Sequence, residues 1–178
     1  MAAIGLRVKT GRAFAVAIAG SGERCTPITR QEVALADPTD GATIHPFHLE
    51  IEGQPTEAAA AAKRARRIGA AALKRLFDSV SKTERIDSVT VVVNTHTPPE
   101  RITSPHMRAH GKEGWLFREI CEHAAEAYGI EPATLALDEV PLAERDAQRA
   151  VAALGEHFGK PWSADWKLAC TAAWMQLR

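Results

Sequence analysis

His106, His110 and Glu113 are spaced i, i+4 and i+7, so a helix through residues 105–114 would carry all three side chains on one face. Two imidazoles one turn apart can bind a transition metal, and a carboxylate one turn further can complete or orient the set. His96 and the pair His45 and His48 would add ligands if their loops fold inward. That face continues into the apolar positions Phe117 and Cys121, which would turn the imidazoles towards a sheet rather than water. The competing reading is a pair of first-turn histidines that hydrogen-bond to neighbouring loops and hold no ion. Lys9, Arg108 and Arg118, together with the free backbone amides of a helix start near Ser104, would form an anion pocket suited to phosphate or carboxylate. Lys63, Arg67 and Lys74 fall in one row, four and seven residues apart, in a segment where Lys63, Arg64, Arg66, Arg67, Lys74 and Arg75 face only Glu57 and Asp78. A phosphate backbone could follow that row, although no aromatic residues interleave with it.

These groups need elements to position them. Ile4 to Val8 and Ala13 to Ala19 are β-prone runs joined at Gly11, which predicts a hairpin. The stretch from Arg24 to Leu35 is a third strand, and Pro27 within it marks an edge strand or a bulge. Phe47, Leu49 and Ile51 alternate with polar residues and predict a short strand or irregular segment. From Pro55 the period changes: Ala61, Ala65, Ile68, Ala72, Leu76 and Val80 make the apolar side of a long helix. Val89 to Val93 is apolar on both faces, as a central strand covered on each side would be. Ser104 with Pro105 caps a helix that stops at Gly129, Thr134 to Leu137 is a fifth strand, and helices follow over Ala143 to Phe158 and Ser163 to Leu177.

The 178 residues suit one domain, residues 1–178, with a core large enough to need no staples. Lys plus Arg and Asp plus Glu number 22 each, so no net field draws the whole molecule to nucleic acid or membrane, and any binding patch must be local. The longest apolar run, Ala13 to Ala19, is seven residues, far short of the ~20 that span a bilayer. With no leader-like start, a cytoplasmic location and no membrane partner are expected. Cys25, Cys121 and Cys170 are scattered and read as small buried hydrophobes. Trp166 and Trp174, eight residues apart with Cys170 between them, would offer a face to a second copy of the chain, a homodimer.

The element order β-β-β-α-β-α-β-α is an α/β layout that right-handed connections fold into one five-stranded mixed sheet with helices on both faces. It resembles the ribonuclease H-like fold, and two segments resemble its Holliday-junction resolvase (RuvC-like) branch. One is the opening Gly5-Leu6-Arg7-Val8-Lys9-Thr10-Gly11 with Phe14-Ala15-Val16-Ala17-Ile18. The other is Trp162-Ser163-Ala164-Asp165-Trp166-Lys167-Leu168-Ala169-Cys170-Thr171-Ala172. The segment from Pro105 to Gly114 is also similar to a Pro-His-x-Arg-Ala-His-x-x-Glu-Gly stretch of uncharacterised bacterial proteins.

The resemblance implies carboxylates from the first strand, the end of the fourth strand and the last helix, gathered around two divalent cations. This sequence departs from that pattern. Lys9 stands where the first acid would be, Asn94 and His96 end the fourth strand, and Asp165 is left with Leu168 where a second acid is often found. An ordinary two-metal site is not expected, and two readings follow. In one, a nucleic-acid-processing phosphodiesterase uses a rebuilt site of Lys9, His96, His106, His110, Glu113 and Asp165, with one divalent ion held by Asp165 and the His106, His110 and Glu113 set. In the other, a non-catalytic domain keeps the fold and binds nucleic acid or protein, nucleic acid lying along Lys63, Arg67 and Lys74.

Overall fold

The computed structural model describes residues 1–22 and 24–178. β1 (Ala2–Lys9) and β2 (Arg12–Ser21) form an antiparallel hairpin about Thr10 and Gly11. Gly11 has φ of 76°, and its carbonyl accepts the Leu35 and Ala36 N–H groups at 2.9 and 3.1 Å, so the turn also anchors the end of the third strand. β3 (Arg24–Ala34) pairs with β2 at the sheet edge, and its register shifts beside Pro27, where a missing donor is tolerated.

The segment that alternates at period two does not become a strand. It forms two single-turn helices, α1 (Gly41–Ile44) and α2 (His48–Ile51). Asp40 Oδ1 accepts the Ala42 N–H at 3.1 Å and starts α1, and Thr43 is buried. Ile51 is half exposed, so the alternation marks no buried face. The long helix follows as α3 (Pro55–Ser81), with Ala61, Ala65, Leu73, Leu76 and Val80 buried and Ile68 and Ala72 on its flank.

β4 (Ile86–Val93) lies parallel to β1, and β5 (Ala133–Ala136) parallel to β4, giving the order β3-β2-β1-β4-β5. Between them runs α4 (Pro105–Ala127), whose first turn is capped by Ser104 Oγ accepting from the Met107 N–H at 3.4 Å. The chain closes with α5 (Arg145–Phe158) and α6 (Ala164–Met175). Helices α3 and α4 cover one face of the sheet, and α5 and α6 the other.

Trp166 and Trp174 belong to α6 and pack into the second of these layers, Trp166 edge-on to Phe14 with ring centroids 4.8 Å apart. Both indoles are buried, so they are core and do not present a face to a second copy. Cys121 and Cys170 are buried too, and burial pushes both thiols up, that of Cys170 to about 12. Neither offers a thiolate near neutral pH.

Among the glycines of the described residues, Gly5 makes the closest approach, between α6 and the first strand. A Cβ on Gly5 would overlap the Ala169 carbonyl, a backbone atom that cannot swing aside. Gly5→Ala should therefore cost about 3 kcal/mol or more in guanidinium unfolding. Gly114, inside α4 with open space where its Cβ would sit, should instead gain about 0.5–1 kcal/mol as Gly114→Ala.

Candidate metal centre and the cationic sheet edge

Glu113 is the only fully buried carboxylate among the described residues. A charge in that position is stable only if it is heavily hydrogen-bonded or bound to a cation. Three imidazoles supply the partners. His48 Nδ1 lies 2.7 Å from Glu113 Oε1, and His45 Nδ1 and His110 Nδ1 lie 3.0 and 3.2 Å from Oε2. His110 sits one turn before Glu113 on α4, whereas His45 and His48 come from the α1–α2 segment, whose inward fold the Lys112–Glu50 ion pair also secures.

The four residues offer three nitrogens and one carboxylate oxygen, all within 4.8 Å of one another. That is a borderline-soft donor set suited to zinc or another first-row divalent ion. The side chains of His45, His48 and His110 are 45, 25 and 38% exposed. The centre would thus be open to solvent on one side, from which a water would reach an ion held by these four residues. His106 stands just outside, its Nε2 3.2 Å from His110 Nε2. The helix face therefore carries its histidines at the rim and its carboxylate inward, the reverse of imidazoles aimed at the sheet.

Asp165 is not part of this group. It sits in the first turn of α6 and meets the ends of β1 and β4. Arg7 Nε is 3.3 Å from Asp165 Oδ1, an Arg7 terminal nitrogen bonds Asn94 Oδ1 at 2.5 Å and another bonds the Val8 carbonyl at 2.9 Å. Arg7 is 3% exposed, and burial pulls its pKa down while the Asp165 charge opposes that shift. Lys9 lies two residues on, the same side of the strand, with Nζ 3.9 Å from Asp165 Oδ1. Two cations thus face one carboxylate where a two-metal site would need several carboxylates. The residues present do not fit such a pair of ions.

The sequence expectation places Lys9 at the site and leaves Arg7 out. The signal was a charge placed mid-run in Ile4 to Val8, which a covered strand accepts only with a partner.

The remaining residues separate. His96 Nε2 pairs with Glu139 at 2.8 Å, away from the other histidines, and Glu139 lies below the usual carboxylate range because the Ala136 N–H and then His96 bond it. Arg108 donates to the Ile102 and Thr103 carbonyls, whereas Lys9 and Arg118 both line a cavity of about 390 Å³ at the C-terminal ends of β1 and β4. His110 lines the same cavity, so the His/Glu cluster and the cationic edge adjoin through one side chain. Lys63, Arg67 and Lys74 are all exposed on α3, Lys74 held by Asp78 at 2.7 Å.

RuvC of Thermus thermophilus is similar to this chain across nearly all its length. The structure of T. thermophilus RuvC in complex with a Holliday junction substrate has a TM-score of 0.60 at 12% identity, covering 98% of this chain and 90% of that one. A second Thermus thermophilus RuvC structure gives the same TM-score and identity over 98 and 92%. No family model and no curated protein matches the sequence. The chain has the RuvC-like ribonuclease H fold, a five-stranded mixed sheet between helical layers.

Asp165→Ala should strand the buried Arg7 guanidinium and cost about 2–3 kcal/mol in chemical denaturation, and adding Arg7→Met should recover most of that loss. A double variant destabilised by the sum of the two single changes would show that the pair is not coupled.

Proposed function

We propose that the chain is a metal-dependent phosphodiesterase acting on nucleic acid, in which one divalent ion held by His45, His48, His110 and Glu113 replaces a two-cation site at the sheet edge. The observation that carries the reading is the convergence of three imidazoles on one buried carboxylate beside a cationic cavity. A bound ion would supply Lewis acidity and lower the pKa of a coordinated water. The chain's own groups do the rest. Lys9 and Arg118 offset charge on the phosphoryl oxygens, Asn94 donates from its amide, and His106 fixes the ring of His110 through the contact between their Nε2 atoms.

Asp165 is a positioning residue on this reading, since it neutralises Arg7 and draws Lys9 to the cavity rim. His96, paired with Glu139, takes no part. The ligand set shifts accordingly from His106, His110, Glu113 and Asp165 to one that includes the α1–α2 histidines.

The exposed row of Lys63, Arg67 and Lys74 favours a second reading, in which the domain binds nucleic acid along α3 without cutting it. Its signature would be an affinity that falls steeply with salt and is weakened about uniformly across sequences by Lys63→Gln or Arg67→Gln.

Dialysis against Zn²⁺ or Mn²⁺ followed by elemental analysis should find one equivalent per chain. Glu113→Gln and His48→Ala should each lower that affinity by more than the ~10–100-fold typical of losing an outer partner. Hydrolysis of bis(p-nitrophenyl) phosphate and of a single-stranded oligonucleotide should require the same ion and disappear in Glu113→Gln. Tight binding of one ion with no ion-dependent cleavage of either substrate would leave the second reading in its place.

A further inference from the structure

The cavity beside the cluster has a chemistry of its own. Among the described residues that line it, no carboxylate appears, while Lys9, Arg118 and the imidazole of His110 do. Lys9 Nζ is beyond hydrogen-bond distance of Asp165 and its side chain is 39% exposed, so the ammonium has donors to give. Asn94 turns its Oδ1 to Arg7, which leaves its NH₂ group without a partner in that pair and supplies two more donors. Arg118 commits Nε to Glu122 at 2.7 Å and keeps its terminal nitrogens for another acceptor. The polar part of the lining is thus a set of donors with excess positive charge, which selects an anion.

Part of the lining is apolar. Trp115 lines the wall, its ring fixed by the N–H bond to the Thr97 carbonyl at 3.3 Å and by the Arg118 guanidinium 4.9 Å from the ring centroid. Met107 lines it too and is 54% exposed, an unusual amount for a large apolar side chain. A fixed aromatic plane and a polarizable thioether beside an anion site match a planar heterocycle joined to a phosphate. The volume of about 390 Å³ lies near the small end of the ~300–1,000 Å³ range of small-molecule sites. A cavity of that size has room for one nucleotide unit, and a base held in a duplex would have to be extruded to reach it.

We infer that this cavity binds a single nucleotide, its phosphate on Lys9, Asn94 and Arg118 and its base against Trp115 and Met107. The inference deepens the phosphodiesterase reading by naming the substrate unit: a free mononucleotide or the end of a single strand, rather than a duplex or branched junction.

Calorimetric titration of the full chain in EDTA tests it without any metal. 5′-AMP should bind at least tenfold more tightly than orthophosphate or adenosine, because each of those meets only part of the lining. Trp115→Leu should weaken AMP on the order of tenfold and leave ribose 5-phosphate unchanged. Lys9→Gln should weaken AMP and ribose 5-phosphate alike and leave adenosine alone. Met107→Ser, a neutral change on an exposed site where misfolding is not at issue, should act as Trp115→Leu does. A 5′-phosphorylated oligothymidylate that competes with AMP while its unphosphorylated form does not identifies a strand end, and AMP binding alone identifies a free nucleotide. AMP binding no tighter than orthophosphate, or indifferent to Lys9→Gln, overturns the inference. Because EDTA removes the ion, loss of hydrolysis and loss of nucleotide binding are separate outcomes.

Discussion

A carboxylate with no exposure to solvent is the constraint around which this molecule's candidate site is arranged. Glu113 stands on the sheet-facing side of α4, among Leu116 and Phe117, where a lone charge would be strongly destabilising. Its two oxygens are met from three directions by Nδ1 atoms, two of them on a segment more than sixty residues earlier in the chain. The same demand explains why residues 41–51 coil into two single turns instead of extending. That path delivers His45 and His48 to one carboxylate, with Phe47 between them packed on the core.

The sheet edge shows the opposite economy of charge. β1, β4 and the start of α6 converge as the right-handed crossovers require, because apolar packing of the two layers fixes that meeting whatever side chains stand there. The chemistry at the meeting point is free to change. Here a guanidinium fills the centre, neutralised by Asp165 and oriented by Asn94 and two strand carbonyls. The cavity left at the edge is cationic, and the cluster of three histidines and Glu113 stands beside it, joined to it by His110.

Most of the fold was legible in the sequence because its elements are strongly periodic. The hairpin at Gly11, the Pro27 edge strand, the long helix from Pro55, the cap at Ser104 and the closing helices all follow from local chemistry. Phe47, Leu49 and Ile51 misled because alternation over so few residues does not distinguish a strand from short turns, and no edge pairs with them. The tryptophans of α6 looked available to a partner because helix spacing identifies a shared face without saying what covers it. Within the site, His110 and Glu113 were visible through their spacing on one helix. Their partnership with His45 and His48 is a long-range contact with no local signature, because it depends on how residues 41–51 fold back. Arg7 was obscured by Lys9 because both lie on the same side of β1, and only depth tells the buried charge from the rim.

The most direct measurement is the X-ray absorption spectrum at the zinc edge of the zinc-loaded protein. The account predicts three imidazole nitrogens and one carboxylate oxygen at about 2.0–2.2 Å, with the imidazole scattering reduced in His48→Ala. A shell of oxygen neighbours alone, or a spectrum that His48→Ala leaves unchanged, would contradict it.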